Sequence, residues 1–364
     1  MKVMIISAPV GSGHIRAGQA IGAALQAADP QVRIDYADVF AFFPAVIGGS
    51  ILTVYLKVLA VFPQAYAAAY GWGNSSSLAL WGRTLISRFL AGQMSRYIQS
   101  FQPDAIVCTH ATPAGLVADL LRRRKIAVPA VAVVTDYVAH RLWLYPEITH
   151  YCVANETLQQ ELADAGIAPA KSSASGIPVS TAFAAASAGR SGKLAPAILI
   201  MGGGAGLLPM EEIVASLNSL PEPVSILAVC GRNRKLYDRL SRQAATSRQR
   251  LLVYGFVEQV DELMQAADLL ITKPGGLTCA EALCCGLPLL LYRPIPGQET
   301  ENAKRLVQQG VAVQADTAAQ LAALAANLLS DRENLTKMSR KAYGAAKPAA
   351  AAAIAQLIRR LVVK

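Results

Sequence analysis

Ten short apolar runs, each closed by turn residues, alternate with helical stretches along this chain. Runs of that length without polar alternation are strands buried on both faces. Separated by helices, such strands build parallel sheets covered on both sides, so the expected class is α/β. In the first half the strands fall at Lys2–Ser7, Arg33–Ala37, Ala105–Thr109, Ala130–Thr135 and Tyr151–Val153. In the second half they fall at Ala197–Met201, Ser225–Val229, Leu251–Gly255, Leu269–Thr272 and Leu289–Tyr292. Between the halves, "AAASAGRSGKLAP" has the small, polar, glycine-bearing composition of a linker. At 364 residues the chain exceeds one ordinary core. The expected division is an N-terminal domain 1–183, a linker 184–196, a second domain 197–345 and a C-terminal helix 346–364. Nothing in that helix's sequence says which domain it packs against.

Hydrophobic residues make up 53% and charged residues 16%, a balance that excludes disorder. The six cysteines show neither CxxC spacing nor a disulfide framework and read as reduced, buried residues of a cytosolic protein, with no metal site expected. The apolar run at the N-terminus is too short for a signal peptide and reads as a first strand. Net charge is +10: 13 Lys and Arg against 10 Asp and Glu through Pro178, then 21 against 14. That excess favours anionic partners, but without basic-aromatic interleaving or zinc-finger spacing nucleic acid is not expected. "RRRK" (Arg122–Lys125) is either a solvated helix end or a contact to phosphates or a membrane. From Val39 to Gly82 the only charge is Lys57, yet Pro44, Pro63 and "GWGNSSS" interrupt the apolar runs and argue against a bilayer span. The segment forms either buried core helices or an interfacial element resting on a membrane.

Ligands of open α/β sheets sit outside the carboxyl ends of the strands. There the first half places "GSGH" (Gly11, Gly13 and His14), then His110, then Asp136 and His140, so three of the four histidines fall in such loops. That clustering favours a site over three structural histidines. "GSGHIRAG" is not a dinucleotide fingerprint, because Arg16 stands where the third glycine belongs and Gly18 comes two places late. The second half carries "MGGGAG", with Gly203 and Gly204, and "KPGGLT", with Gly275 and Gly276 opening a helix. Glycines let backbone approach an anion, and free N–H groups of a helix N-terminus attract a diphosphate. Lys273 adds a point charge, Glu281 can accept from a ribose diol, and Gln298-Glu299 can hold a sugar. The alternative is a tight turn, an exposed helix residue and a polar loop.

These residues, with "CTHATPAG", "SGIPVSTAF", "VCGRNRKL", "YGFV" and above all "TKPGGLTCAEALCCGLPLLLYRPIPGQETENA", cover nearly the whole chain. In them the chain resembles the processive diacylglycerol glucosyltransferase and monogalactosyldiacylglycerol synthase group of glycosyltransferase family 28. The resemblance implies a GT-B fold of two facing Rossmann-like domains, the first the acceptor- and membrane-facing domain and the second the nucleotide-sugar-binding domain. It implies inverting transfer of glucose or galactose from a UDP-sugar, without a metal or other cofactor, to diacylglycerol or a glycosyl-diacylglycerol. It also implies a cytoplasmic protein, peripheral at the inner face of the cell membrane, where anionic lipid is the expected partner. Carried over by residue, Phe256 would meet the uracil through its backbone. Gly203, Gly204, Gly275, Gly276, Leu277 and Thr278 would cradle the diphosphate, Glu281 would bind the ribose, and Gln298 and Glu299 would grip the sugar. Lys273 or Arg232 would stabilise the leaving charge. Gly11, Gly13, His110 and His140 would lie on the acceptor side. The plant-type members have an Asp shortly before the glycine-histidine motif, proposed as base, where this chain has Pro9. His14 and Asp136 are left as candidates for the base. Rival readings are a UDP-sugar 2-epimerase and a non-catalytic nucleotide-sugar sensor at the membrane.

Overall fold

The structure is a computed structural model that describes residues 1–9, 12–42, 92–184, 196–203 and 208–363. The chain divides into two compact units, Met1–Ser180 with Lys347–Lys364 and Thr181–Ala346. The first unit thus ends at Ser180 rather than 183, and the tail is not a separate element. Its helix Ala350–Val363 packs on the helix Gly13–Ala28, placing Ile354 and Ile358 in one core cluster with Val3, Ile5, Ile21 and Leu25. Sequence could not assign that helix because its apolar face suits any partner of the same shape.

Each unit holds one six-stranded sheet. In the first, the strands are β1 (Lys2–Ser7), β2 (Arg33–Asp38), β3 (Ala105–Cys108), β4 (Ala130–Val133), β5 (His150–Cys152) and β6 (Ser172–Ser173). Their order is β2-β1-β3-β4-β5-β6 and all pairs are parallel. In the second, β7 (Ala197–Met201), β8 (Ser225–Val229), β9 (Arg250–Tyr254), β10 (Leu269–Thr272), β11 (Leu289–Tyr292) and β12 (Ala312–Ala315) run in the order β12-β11-β10-β7-β8-β9, again parallel. The apolar runs are strands because both faces are covered: β3, β4, β7, β10 and β11 are buried at every residue. Edge strand β2, "RIDYAD", has one face open and is correspondingly polar.

Two strands carry no apolar run and were not expected: β6, two serines long, and β12, "AVQA". β3 and β4 end earlier than the hydrophobic pattern suggests, at Cys108 and Val133, which leaves Thr109 and Thr135 outside the ladder. Val39–Phe42 forms a short 3₁₀ turn with Val39 and Phe42 buried, and the rest of the Val39–Gly82 segment lies outside the described residues. Among the described residues no helix is long and apolar enough to cross a membrane. All six cysteines are buried and none is in a disulfide. Burial raises the thiols of Cys108, Cys152 and Cys230, to about 12 at Cys152 and about 11 at Cys230.

The strand order reverses between β1 and β3 in the first sheet and between β10 and β7 in the second. Adjacent connections there leave in opposite directions, so a crevice opens at the strands' carboxyl ends.

Candidate active site

The first unit's switch point gathers hydroxyls, imidazoles and a carboxylate. Ser7 closes β1 and its hydroxyl lies 2.8 Å from that of Thr109, which follows β3. His14, on the first turn of the Gly13–Ala28 helix, reaches back over them. Its Nδ1 lies 3.0 Å from the Thr109 carbonyl oxygen and 2.7 Å from the Thr135 hydroxyl. A carbonyl oxygen only accepts, so Nδ1 carries the proton and Nε2 keeps the lone pair. The helix can come this close because Gly18 faces the strand: a Cβ there would stand 2.9 Å from Ile5 Cγ2 and 3.3 Å from Ser7 Oγ. Gly18 therefore serves helix–strand packing, whatever its misfit to a dinucleotide fingerprint.

Burial holds the His14 pKa below its ordinary 6.5, while the Asp136 carboxylate and the Thr109 carbonyl pull it upward. Asp136, 7% exposed, follows Thr135 at the end of β4. His110 meets His14 edge to face with ring centroids 4.7 Å apart. Its Nδ1 accepts the Thr112 backbone N–H at 3.1 Å and so caps the helix Ala111–Arg122. His110 is thus a structural capping residue as well as part of the cluster. Burial, then the neighbouring His14 and His140, keeps its pKa well below 6.5. His140 is lowered by burial to about 4. Three neutral imidazoles beside one buried carboxylate make a place suited to taking up a proton. Ser7, Thr109 and Thr135, which orient His14, escaped the sequence reading, although each hydroxyl stands at the end of a strand beside a flagged loop.

The second unit's switch point is built from glycine, a helix N-terminus and a lysine. Gly203, after β7, has φ +71, and a Cβ there would lie 3.3 Å from Lys273 Cε. The two glycine turns of the sequence therefore meet across β7 and β10. Thr272 fastens them, its buried hydroxyl donating to the Met201 carbonyl at 2.8 Å. Gly275 is the N-cap of the helix Gly276–Cys284 and offers no side-chain cap; a Cβ on it would meet nothing within 4 Å. Helix geometry leaves the N–H groups of Gly276, Leu277 and Thr278 without a partner inside the helix, as an anion site requires. Glu281 is 1% exposed and sits one turn deeper, so the exposed-helix alternative is wrong.

Lys273 Nζ pairs with the Glu299 carboxylate, whose Oε2 also accepts the Ile295 N–H at 3.0 Å. The expected diphosphate cation and the expected sugar carboxylate are therefore joined to each other. Gln298 opens the helix Gln298–Gln308 beside them. Asn302, fully buried on that helix, donates from Nδ2 to the Pro274 carbonyl at 3.1 Å. It ties the Gln298–Gln308 helix to the turn before Gly275 and was missed; its signal was an asparagine one turn after Gln298. The loop's other end rests on Arg293, a non-glycine residue at φ +46. Both Arg293 guanidinium nitrogens donate to Glu212 at 2.9 Å, and the Tyr292 hydroxyl donates to the same carboxylate at 2.9 Å.

On the other side of β7, Arg232 follows β8 and stacks at 5.0 Å over Phe256, which follows β9 and is 61% exposed. Strands lie ~4.8 Å apart, so the ends of β7 and β9 are separated by roughly 10 Å, about the span from a diphosphate to its base. Gly203, Arg232, Phe256, Lys273, Gly275–Thr278, Glu281, Gln298 and Glu299 thus share one edge of one sheet. Gly13, His14, His110, Asp136 and His140 share the corresponding edge of the other. Gly11 and Gly204 lie outside the described residues.

Residues 14–179 match the family model of monogalactosyldiacylglycerol (MGDG) synthase, and residues 210–345 that of glycosyl transferases group 1. The processive diacylglycerol beta-glucosyltransferase of Bacillus subtilis (strain 168) is 27% identical over 352 residues, covering 93% of this chain and 90% of its own. The chain belongs to glycosyltransferase family 28. Among solved structures, MurG of Acinetobacter baumannii aligns with a TM-score of 0.66 at 20% identity over 99% of both chains. The UDP-GlcNAc 2-epimerase of Neisseria meningitidis bound to UDP-GlcNAc aligns with 0.62 at 14% identity, over 99% of this chain and 100% of its own. The family 28 chain thus has the GT-B fold, which transferases and epimerases share. The sequence-level matches, both to glycosyl transfer, separate the two.

Proposed function

We propose that this family 28 member is an inverting glycosyltransferase that moves glucose or galactose from a UDP-sugar to diacylglycerol or a glycosyl-diacylglycerol. The observation that carries the reading is the meeting of two glycine turns at one switch point, with the Lys273 stem lying across Gly203. That arrangement is made for a diphosphate, and it belongs to a chain whose first unit matches an MGDG synthase model.

In one displacement the acceptor oxygen bonds to the anomeric carbon as the bond from that carbon to the UDP oxygen breaks. His14 Nε2 takes the acceptor's proton, and the Asp136 charge favours the imidazolium that results. Negative charge gathering on the leaving UDP is met by the Gly276 helix N-terminus, by Lys273 and by Arg232. These fixed positive groups can do the work of a metal, so we expect turnover to survive chelation by EDTA. The Glu281 carboxylate accepts from the ribose, and Gln298 and Glu299 hold the sugar once the diphosphate has drawn Lys273 away from Glu299. The enzyme would work peripherally at the inner face of the cell membrane, where its lipid acceptor lies.

The test is UDP release from UDP-glucose and UDP-galactose, with and without diacylglycerol, with the product lipids identified. The expected result is release that depends on diacylglycerol and yields a glycosyl-lipid. Conversion of a UDP-sugar to its epimer without any lipid would favour an epimerase. Binding of UDP-sugar with no turnover would favour a sensor.

A further inference from the structure

The second unit, Thr181–Ala346, carries a net charge of only +3, with 17 Lys and Arg against 14 Asp and Glu, yet its stretch from Gly231 to Arg250 carries +6, with seven cations against Asp238. Nothing in the donor site calls for such a concentration. The stretch comprises the end of the β8 loop, the helix Arg234–Ala244 and the start of edge strand β9. Leu236 and Leu240 point into the core, and all seven cations are exposed. Arg234 pairs with Asp238 at 3.0 Å and Arg239 with Glu211 at 2.9 Å. Arg232, Lys235, Arg242, Arg248 and Arg250 face no carboxylate in any ion pair among the described residues. Lys235, Arg239 and Arg242 recur at helical spacing and form a stripe down one side of the helix.

The strip is too long for a nucleotide alone. Phe256 marks the ligand-bearing end of β9, whereas Arg248 and Arg250 stand at its opposite end. Five strand residues at ~3.3 Å each put these ends roughly 15 Å apart. A partner that touches both ends must be extended and anionic. Arginines lie over the nearby rings, Arg234 over Tyr237 and Arg232 over Phe256, each at 5.0 Å, so each ring already holds a cation on one face and the strip offers charge for headgroups. Outside this strip the second unit carries 10 Lys and Arg against 13 Asp and Glu, so any attraction of that unit to an anionic surface must come from the strip itself.

We propose that this flank of the donor-binding unit docks on anionic lipid headgroups and supplies an electrostatic contact for membrane attachment. The choice of lipid over other polyanions rests on the lipid-acceptor reading. The full chain and a Lys235→Ser, Arg242→Ser, Arg248→Ser variant would be sedimented with vesicles of phosphatidylcholine alone and of phosphatidylcholine with phosphatidylglycerol. Each cation near such a surface contributes ~5-fold, so partition onto the anionic vesicles should fall by roughly 100-fold. Partition onto neutral vesicles, and turnover on diacylglycerol in neutral detergent micelles, should not change. Unchanged partition onto anionic vesicles overturns the proposal. So does an equal fall on both kinds of vesicle, or wild-type binding to RNA that is tighter than to the vesicles and lost in the variant. Should the triple variant fail to fold, Arg248→Glu reads the same difference with one charge reversed. Vesicle binding is measured without turnover, so a chain that docks through this strip yet transfers no sugar would refute the transferase reading and leave this one standing.

Discussion

The two sheets are built alike and equipped differently. Both are six-stranded and parallel, both reverse their strand order once, and both present their functional side chains beside that reversal. At the first reversal stand His14, His110, Asp136 and three strand-end hydroxyls, the groups proposed to hold and move protons. At the second stand Gly203, Gly275, a helix N-terminus and Lys273, the groups proposed to hold a diphosphate. Topology thus fixes where a ligand can lie, and the residues placed at the strand ends decide which half of a group transfer each unit serves.

The largest effect that would break this contrast is expected at His14. His14→Ala should lower kcat by ~10²–10⁴ while UDP binding, measured by calorimetry, stays intact. If His14→Ala keeps kcat within a few-fold of wild type and Asp136→Asn abolishes turnover, the base is Asp136. The pH profile carries the same information. The folded pKa of His14 lies below 6.5, so the imidazole is neutral at pH 7 and activity should be lost as pH falls, with a midpoint below 6.5. Stability follows the same sign. His110 and His140 are also depressed, the unfolded chain binds their protons first, and the stability they lend is present above pH ~6.5 and lost on acidification.

A smaller effect, confined to the donor, is expected at Glu281. Replacement by Gln removes charge-assisted hydrogen bonds worth ~1.5–3 kcal/mol each, so KM for the UDP-sugar should rise at least ~10-fold with KM for the lipid unchanged. An unaltered donor KM would discard the ribose role. Gly203→Ala should weaken UDP by roughly tenfold, because a side chain at φ +71 costs ~1–2 kcal/mol and presses on the Lys273 stem. Equal UDP affinity in that variant would mean the turn does not carry the diphosphate. The smallest effect concerns the Arg293 clamp. Glu212→Ala should raise donor KM a few-fold by releasing a residue held at φ +46, and Arg293→Gly in the same chain should restore much of it. No rescue by glycine would show that Glu212 acts by its charge and not by holding the turn.

Much of this was legible in the chain. The buried strands announced themselves because a strand covered on both faces needs an unbroken apolar run, and four of the second unit's strands have the expected ends. β6 and β12 were invisible for the same reason: short and half-polar, they pair because β5 and β11 leave an edge to be filled. The glycine turns and the histidine loops were visible as residue types at strand ends. Their partners were not, since Thr135 lies 121 residues from His14 and Asn302 lies 28 from Pro274.

By itself, then, the sequence determined the α/β class, the two sheets' main strands, the family and the residue types available for transfer, because these depend on local periodicity and short motifs. The tertiary structure alone decided four further things. It put the proton of His14 on Nδ1, joined Lys273 to Glu299, tied Asn302 to the turn before Gly275 and returned the C-terminal helix to the first unit. Each is a contact between segments distant in the chain, chosen by strand order and close packing, and no local pattern encodes which of several compatible partners a side chain will meet.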